Sequence, residues 1–309
     1  MESQTQTPSI WHGVLPAITT PFRSDDTVDL EFLADHCRWL MDHGCRGIVA
    51  LGSLGEGATL DTEEKRQILA RCVEAVAGRG PVIAAISALS TRQAVDLART
   101  AEEVGCKGLM VLPPYVHNGG WAEIRAHFDA VLEATDLPAM LYNNPIAYGT
   151  DLRPEHIAEL AASHPTVGAV KESSGDSRRL TAIRALIGER LDLLVGLDDM
   201  AVEGADAGAV GWVAGLVNAL PEESVRLFDL ARAGRSDEAF ELYRWFLPLL
   251  RLDVVPDFVQ RIKCVQAEVG MGSERVRLPR LPLPATERQA VGRLVATQLA
   301  NRPLAAATA

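Results

Sequence analysis

The sequence predicts an α/β fold, namely a closed (β/α)8 TIM barrel followed by a C-terminal helical extension. Short apolar runs alternate with amphipathic stretches of helical length from residue 14 to about residue 214, which is the order of parallel strands and covering helices. These runs number eight, the count that closes this barrel. After residue 220 the pattern becomes helical, so we expect residues 1–219 to form the barrel and residues 220–309 to form the extension.

The predicted elements follow one another along the whole chain. Strands are expected at residues 14–18, 47–51, 81–86, 108–112, 138–142, 167–171, 192–195 and 210–213. Two helices between them have a start signal, since Asp61 with Glu64 and Ser90 with Gln93 are spaced as a side-chain cap and a reciprocal acid or amide. The extension is expected to contain helices at residues 221–233, 236–252, 256–268 and 286–299, separated by turns with proline or glycine.

The composition argues against several functional classes. A hydrophobic content of 48% supports a large core, and a net charge of −11 argues against nucleic-acid and membrane-surface partners. The five cysteines form no CxxC pair and the seven histidines form no HExxH motif, so we predict no disulfide framework and no metal site. The polar residues 1–8 lack the pattern of an export signal and no apolar run can span a bilayer, so we expect a soluble, cytoplasmic protein.

Lys171 is the first candidate for chemistry. It ends the apolar run at residues 167–170, so a strand is expected to bring its amine to the carboxyl edge of the barrel, where the active sites of this fold lie. An amine attacks carbonyls or imines only when it is unprotonated, which requires its pKa to fall from ~10.4 toward roughly 7 to 8, and burial favours that fall. The alternative is a plain ion pair with Glu172 or Asp176.

A glycine-rich turn follows the second predicted strand. Its sequence is Gly-Ser-Leu-Gly-Glu at residues 52–56. The glycines permit a tight turn whose backbone N–H groups point inward, which is a suitable cradle for a carboxylate, and Ser53 can add a hydroxyl donor. The alternative is an ordinary turn between a strand and a helix.

Two tyrosines, two glycines and an aspartate follow four other strands. A phenol near a lysine can move protons, and we predict that Tyr142 is this proton shuttle. Tyr115 can contact substrate, or it can simply pack in its Pro-Pro-Tyr turn. Gly196 and Gly215 permit close approach of the backbone to a ligand. Asp198 can bind a substrate hydroxyl or cap a helix.

Taken together, the motifs at the strand ends resemble those of one family. The resemblance to the dihydrodipicolinate synthase/N-acetylneuraminate lyase family covers nearly the whole chain and implies that Lys171 forms a Schiff base and that Tyr142 relays protons. It also places Ser53 and Leu54 at the substrate carboxylate, with Leu54 in place of a second hydroxyl residue. No cofactor is implied, because the lysine is the electron sink, and a homotetramer is expected. The motifs are Gly-Ser-Leu-Gly-Glu at 52–56, Pro-Pro-Tyr at 113–115, Tyr-Asn-Asn-Pro at 142–145 and Lys-Glu-Ser-Ser-Gly-Asp at 171–176.

Departures from the family pattern narrow the expected substrate. Val116 replaces the second tyrosine that dihydrodipicolinate synthases donate across a subunit interface, and Ala147 replaces their arginine for a dicarboxylate substrate. The stretches at 142–145, 196–199, 243–250 and 279–281 most resemble 1-pyrroline-4-hydroxy-2-carboxylate deaminases of hydroxyproline degradation. That resemblance implies a lyase or hydrolase that releases 2,5-dioxopentanoate and ammonia. The alternatives are an aldolase or dehydratase of 2-oxo-3-deoxy sugar acids, a dihydrodipicolinate synthase-like pyruvate aldolase, and a barrel that binds a small acid without catalysis.

Overall fold

Eight parallel strands form the centre of the molecule. A computed structural model describes residues 9–117 and 119–303, so the expectation about an export signal at residues 1–8 lies outside the described residues. The strands are β1 (Gly13–Pro16), β2 (Ile48–Ala50), β3 (Val82–Ile86), β4 (Gly108–Val111), β5 (Ala139–Asn143), β6 (Val167–Glu172), β7 (Asp192–Val195) and β8 (Gly211–Ala214).

The sheet closes on itself. Its strand order is β1-β8-β7-β6-β5-β4-β3-β2, and every neighbouring pair in it is parallel. Beyond the end of β1, a parallel bridge joins Ala17 to Val49 of β2, and the N–H of Ile18 donates to the Val49 oxygen at 2.9 Å. The predicted (β/α)8 barrel is therefore confirmed, with each strand within about two residues of its expected place.

Helices cover the outside of the barrel and then form the extension. Two of the predicted starts are found, because Asp61 accepts from the Glu64 N–H at 2.8 Å and Ser90 accepts from the Gln93 N–H at 3.3 Å. The helices are α1 (Leu30–Asp42), α2 (Thr62–Val76), α3 (Thr91–Glu103), α4 (Trp121–Leu132), α5 (Pro145–Tyr148), α6 (Pro154–Ser163), α7 (Arg178–Ile187), α8 (Ala201–Asp206), α9 (Pro221–Arg232), α10 (Ser236–Leu250), α11 (Phe258–Glu268) and α12 (Ala285–Ala300).

The strands are buried in the core, and the extension packs against the barrel so that it reaches one edge. All residues of β2, β3, β4 and β5 are buried, as expected for parallel strands covered on both faces. Helix α9 packs against β1, α8 and α10, and α12 packs against both α10 and α11. A 3-10 turn at Arg251–Asp253 joins α10 to α11 and contacts another at Asp198–Met200, so the extension reaches the carboxyl edge of the barrel. Within the described residues, no helix is long and apolar enough to cross a bilayer.

Candidate active site

A cavity of about 430 Å³ opens at the carboxyl ends of the strands. This is the edge at which barrel enzymes bind their substrates, and the volume is within the usual range for a small-molecule site. Polar groups on its wall come from β5, β6, α5 and the turns after β2 and α10, while apolar side chains come from α5 and the segment before α11. The residues that border it include Ser53, Leu54, Tyr142, Asn144, Ile146, Ala147, Tyr148, Lys171, Gly196, Leu197, Gly215, Asp253 and Phe258.

Lys171 and Tyr142 lie side by side on adjacent strands. They are paired in register between β6 and β5, and Lys171 Nζ lies 4.1 Å from the centre of the Tyr142 ring. Only 6% of Lys171 and 5% of Tyr142 is exposed. The Tyr142 hydroxyl oxygen accepts from Asn144 Nδ2 at 3.0 Å, which fixes its position in the cavity. An amine and a phenol therefore face the same enclosed space.

The acidic neighbours of Lys171 along the chain bind other groups. Glu172 accepts from Asn143 Nδ2 at 2.9 Å and from the Ser174 N–H at 2.6 Å, and Asp176 pairs with Arg178 at 2.7 Å. Among the described residues, no carboxylate lies within ion-pair distance of the Lys171 amine. The ion-pair alternative for this lysine is therefore wrong, and its amine remains available to a substrate.

Gly196, at the end of β7, is required by close packing. A Cβ atom at this position would lie 1.8 Å from Ser173 Oγ and 2.6 Å from Lys171 Cε. Any side chain here would push the lysine out of its place against Tyr142. The glycine thus allows the amine to extend into the cavity, and it borders the cavity as predicted.

The turn after β2 presents backbone donors to the same cavity. Its own hydrogen bonds use the N–H groups of Glu56, which donates to Ser53 O at 3.1 Å, and of Gly57, which donates to Gly52 O at 3.1 Å. The N–H groups of Ser53 and Leu54 are not used to close the turn, and both residues border the cavity. This arrangement can hold a carboxylate.

Tyr148 is a site residue that the sequence reasoning missed. Its hydroxyl is hydrogen-bonded to Ser53 Oγ, and its ring makes an edge contact with Tyr142 at 5.7 Å between centroids. Burial raises the pKa of Tyr148 well above its ordinary value, so its hydroxyl stays protonated and can donate to Ser53. The pair Asn144-Pro145 was an available signal for the start of a helix. Asn144 caps α5 by accepting from the Ala147 N–H at 3.0 Å, and Pro145 is the first residue of that helix, which ends at Tyr148.

Tyr115 and Asp198 do not border the cavity, unlike the other predicted site residues. The Tyr115 ring packs against Tyr148 at 5.6 Å between centroids, which is the packing role considered for it. Asp198 accepts from Trp212 Nε1 at 3.0 Å and from the N–H groups of Gly215 at 3.0 Å and Leu216 at 2.7 Å. Burial raises the pKa of Asp198 to about 6 despite these donors. The Asp198 oxygens thus fix the loop after β8, and the contact of Asp198 with a substrate hydroxyl stays a prediction.

A different aspartate borders the cavity. Asp253, in the 3-10 turn after α10, lies directly over Gly215, where an added Cβ would be 2.0 Å from Asp253 Oδ1. Gly215 is therefore a glycine because this carboxyl group occupies the space above it. Sequence reasoning could not find Asp253, because no strand end or motif marks it.

One group of possible metal ligands occurs among the described residues, away from the cavity. Atoms of Cys264, Glu268 and Glu274 lie within 4.8 Å of one another. Arg288 pairs with Glu274 at 2.6 Å and with Glu268 at 3.6 Å, so an arginine already balances these carboxylates. The cluster is explained as an ion-pair network at the surface of the extension.

Comparison with known proteins places the chain in one family. The dihydrodipicolinate synthetase family model matches residues 11–298. The chain belongs to this family. A 4-hydroxy-tetrahydrodipicolinate synthase of Methanoculleus marisnigri is 34% identical over 276 residues, which are 87% of this chain and 93% of that protein. The same enzyme of Pelobacter propionicus is 31% identical over 279 residues, which are 90% and 96% of the two chains.

Solved structures of the family have the same architecture. The dihydrodipicolinate synthase of Aquifex aeolicus superposes with a TM-score of 0.89 at 27% identity, covering 93% of this chain and 98% of the other. A prophage protein of the family from Escherichia coli, solved with pyruvate, superposes with a TM-score of 0.89 at 26% identity, covering 94% and 99%. The chain is therefore a full-length match to an enzyme family of the lyase class.

Proposed function

We propose that the protein is a Schiff-base-forming deaminase that converts 1-pyrroline-4-hydroxy-2-carboxylate to 2,5-dioxopentanoate and ammonia. The observation that carries this proposal is the unpaired amine of Lys171 beside the phenol of Tyr142 in an enclosed cavity. A desolvated amine is the nucleophile that such chemistry requires, and a phenol within reach can exchange protons with the adduct.

The charges around the cavity support a substrate with a single carboxylate. Among the described residues that border it, Lys171 is the only cation and Asp253 the only acid. The side chains of Ile146, Ala147 and Leu197 add apolar surface. A second carboxylate would find no positively charged partner other than Lys171 among the described residues that border the cavity, so a dicarboxylate is disfavoured. A small cyclic imine with one carboxylate and one hydroxyl suits this wall.

Binding begins with the carboxylate of the substrate. The N–H groups of Ser53 and Leu54 and the Ser53 hydroxyl donate to it, while Tyr148 donates to Ser53 and so orients that hydroxyl. This places C2 of the ring next to the Lys171 amine, and holding the two atoms in contact lowers the barrier to their reaction. Tyr148 acts here as a positioning residue.

Covalent chemistry then proceeds through the lysine. The Lys171 amine adds to C2, the bond from C2 to the ring nitrogen breaks, and Tyr142 delivers the proton that the departing amine takes up. Loss of a C3 proton gives an enamine, whose electron pair expels the 4-hydroxyl as water once that oxygen is protonated. Proton shifts convert the C5 amine to an imine. One water molecule hydrolyses the imine to release ammonia, and a second cleaves the lysine adduct to release 2,5-dioxopentanoate.

A second candidate uses the same residues. The Escherichia coli relative was solved with pyruvate, which favours a lyase acting on 2-oxo acids. An aldolase or dehydratase of 2-oxo-3-deoxy sugar acids would form the same adduct at Lys171 and then break a C–C or C–O bond. A pyruvate aldolase like the named synthases is less favoured, because Val116 and Ala147 stand at the positions of two of their polar side chains.

Product analysis distinguishes these candidates. Purified protein is incubated with 1-pyrroline-4-hydroxy-2-carboxylate, and ammonia and 2,5-dioxopentanoate are measured together. The proposal predicts equal amounts of both products, and none from Lys171→Ala. Turnover of 2-oxo-3-deoxygluconate without ammonia release from the pyrroline would instead support the second candidate.

Two further expectations accompany the proposal. We propose that residues 1–219 and 220–309 are the catalytic barrel and its extension, and that the protein forms a homotetramer in the cytoplasm. The solved relatives include a dihydrodipicolinate synthase variant described as monomeric, with a TM-score of 0.88 at 26% identity, so membership of the family does not decide the assembly. Light scattering in solution measures it directly.

A further inference from the structure

Asp253 is a carboxyl group without a partner at the wall of the catalytic cavity. Its Oδ1 atom is inaccessible to solvent and has no hydrogen-bond partner among the described residues. The residue borders the same cavity as Lys171 and lies over the Cα of Gly215. It reaches this place from the extension, through the turn at Arg251–Asp253, and not from a barrel strand.

A buried carboxyl oxygen without a hydrogen bond costs free energy, so the condition of Asp253 Oδ1 calls for an explanation. A buried polar group without a hydrogen bond destabilises a protein by about 1–3 kcal/mol. The nearby aspartates do not share this condition, because Asp198 accepts hydrogen bonds from Trp212, Gly215 and Leu216, and Asp199 faces Arg251 at 3.8 Å. A substrate that fills the cavity can supply the missing partner.

The protonation state follows from the surroundings. Burial is the main cause that raises the pKa of Asp253 well above its ordinary value, and the carboxyls of Asp198 and Asp199 raise it further, while Lys171 opposes them. These surroundings shift the Asp253 carboxyl toward its neutral form. A neutral carboxyl can donate a hydrogen bond through its O–H and accept one at its other oxygen.

We propose that Asp253 binds the substrate hydroxyl and that it is the acid that protonates this hydroxyl as it leaves. This inference rests on the proposed function and names an acid for the loss of the 4-hydroxyl, for which the proposed function names none. It also names the substrate class, because the site selects 2-oxo acids or cyclic imines with a hydroxyl near C4 over those with a second carboxylate.

The step balances without any further reagent. The enamine electron pair forms the C3–C4 double bond while the C4–O bond breaks. The Asp253 O–H gives its proton to the departing oxygen, which leaves as water, and Asp253 becomes a carboxylate. Its negative charge then faces the positively charged lysine adduct, and the carboxylate regains a proton from water before the next cycle.

Two substitutions separate binding of the hydroxyl from the transfer of the proton. Asp253→Asn keeps the size and a hydrogen-bonding group but cannot protonate a leaving group, whereas Asp253→Leu keeps only the size. Asp199→Asn is the matched control, since Asp199 is an acid on the neighbouring turn that does not border the cavity. Borohydride trapping of pyruvate on Lys171 shows for each variant that the fold and the amine are intact.

The first readout does not require turnover. Borohydride trapping is compared for 4-hydroxy-2-oxobutanoate and 2-oxobutanoate. We expect the wild type and Asp253→Asn to favour the hydroxylated acid by about 10-fold, the value of one hydrogen bond, and Asp253→Leu to lose that preference. Equal preference in the wild type and Asp253→Leu would overturn the binding role, whether or not the pyrroline is the substrate.

The second readout tests whether Asp253 acts as the acid. In Asp253→Asn we expect ammonia release from the pyrroline to fall by about 100-fold or more, while exchange of the C3 protons with deuterium continues at the wild-type rate. Release within about 3-fold of the wild type would overturn the acid role. If the wild type itself releases no ammonia, the proposed function fails, and the preference for the hydroxylated acid still decides the role of Asp253.

Discussion

Replacing Lys263 with methionine tests how the extension supports the active-site turn. Lys263 is 2% exposed, and its amine donates to Glu56 Oε1 at 2.5 Å, to Thr20 O at 2.8 Å and to Arg275 O at 2.6 Å. Glu56 is fully buried and ends the turn that presents Ser53. The Lys263–Glu56 ion pair therefore connects α11 to the turn that forms the carboxylate cradle, although the two residues are far apart in the sequence.

The expected loss follows from these contacts. Removing one partner of a buried ion pair costs about 3–5 kcal/mol, because the remaining charge is left without compensation. The Arg277 N–H still donates to Glu56 Oε2 at 3.0 Å and Arg280 lies 3.8 Å from the same atom, so part of the charge remains balanced. We expect Lys263→Met to lower the free energy of unfolding by about 3 kcal/mol, at the lower end of that range.

Urea unfolding at neutral pH provides the measurement, with Lys107→Met as control. Lys107 is exposed, so its substitution should change stability by less than about 0.5 kcal/mol. Adding Glu56→Gln to Lys263→Met removes the unpaired charge and should recover about 1–3 kcal/mol. A loss below about 1 kcal/mol for Lys263→Met, or no recovery in the double variant, would refute the reasoning.

Two further predictions concern Tyr148 and His36. Tyr148→Phe removes the hydroxyl that is hydrogen-bonded to Ser53 and should raise KM about 10-fold with little change in kcat. Tyr243→Phe removes a phenol outside the cavity and should change neither constant. Steady-state kinetics in which kcat alone fell for Tyr148→Phe would contradict this prediction. Burial lowers the pKa of His36 from its ordinary value near 6.5 to about 4. Between these two pH values the unfolded chain binds a proton at His36 and the folded protein does not. The free energy of unfolding therefore decreases as the pH falls from 6.5 to 4. Urea unfolding across this range should show a steeper loss for the wild type than for His36→Gln, by up to about 3 kcal/mol; parallel curves would contradict it.

The sequence was sufficient to predict those strands and site residues whose signal lies in a short local pattern. Strand positions follow from the apolar runs, and Lys171 and Tyr142 are recognised because each ends such a run at the edge where barrel active sites lie. Their contact at 4.1 Å then follows from the pairing of β5 with β6. Residues whose position depends on the strand that carries them could thus be predicted.

Residues whose role depends on partners distant in the sequence could not be predicted. Asp198 follows a strand as well, but its oxygens are occupied by donors from the loop after β8, which no spacing in the sequence reveals. Asp253 reaches the cavity only because the extension folds back over Gly215. Lys263 lies in the helix predicted at residues 256–268, but its buried pair with Glu56 joins residues that are 207 positions apart, which no local pattern reveals.

The central claim is that Lys171 forms the covalent adduct, and trapping tests it most directly. The protein is treated with borohydride during turnover of 1-pyrroline-4-hydroxy-2-carboxylate, and the modified peptide is located by mass spectrometry. The account predicts one reduced adduct, on Lys171, that is missing from Lys171→Ala. An adduct on Lys65, Lys107 or Lys263, or continued release of ammonia by Lys171→Ala, would contradict it.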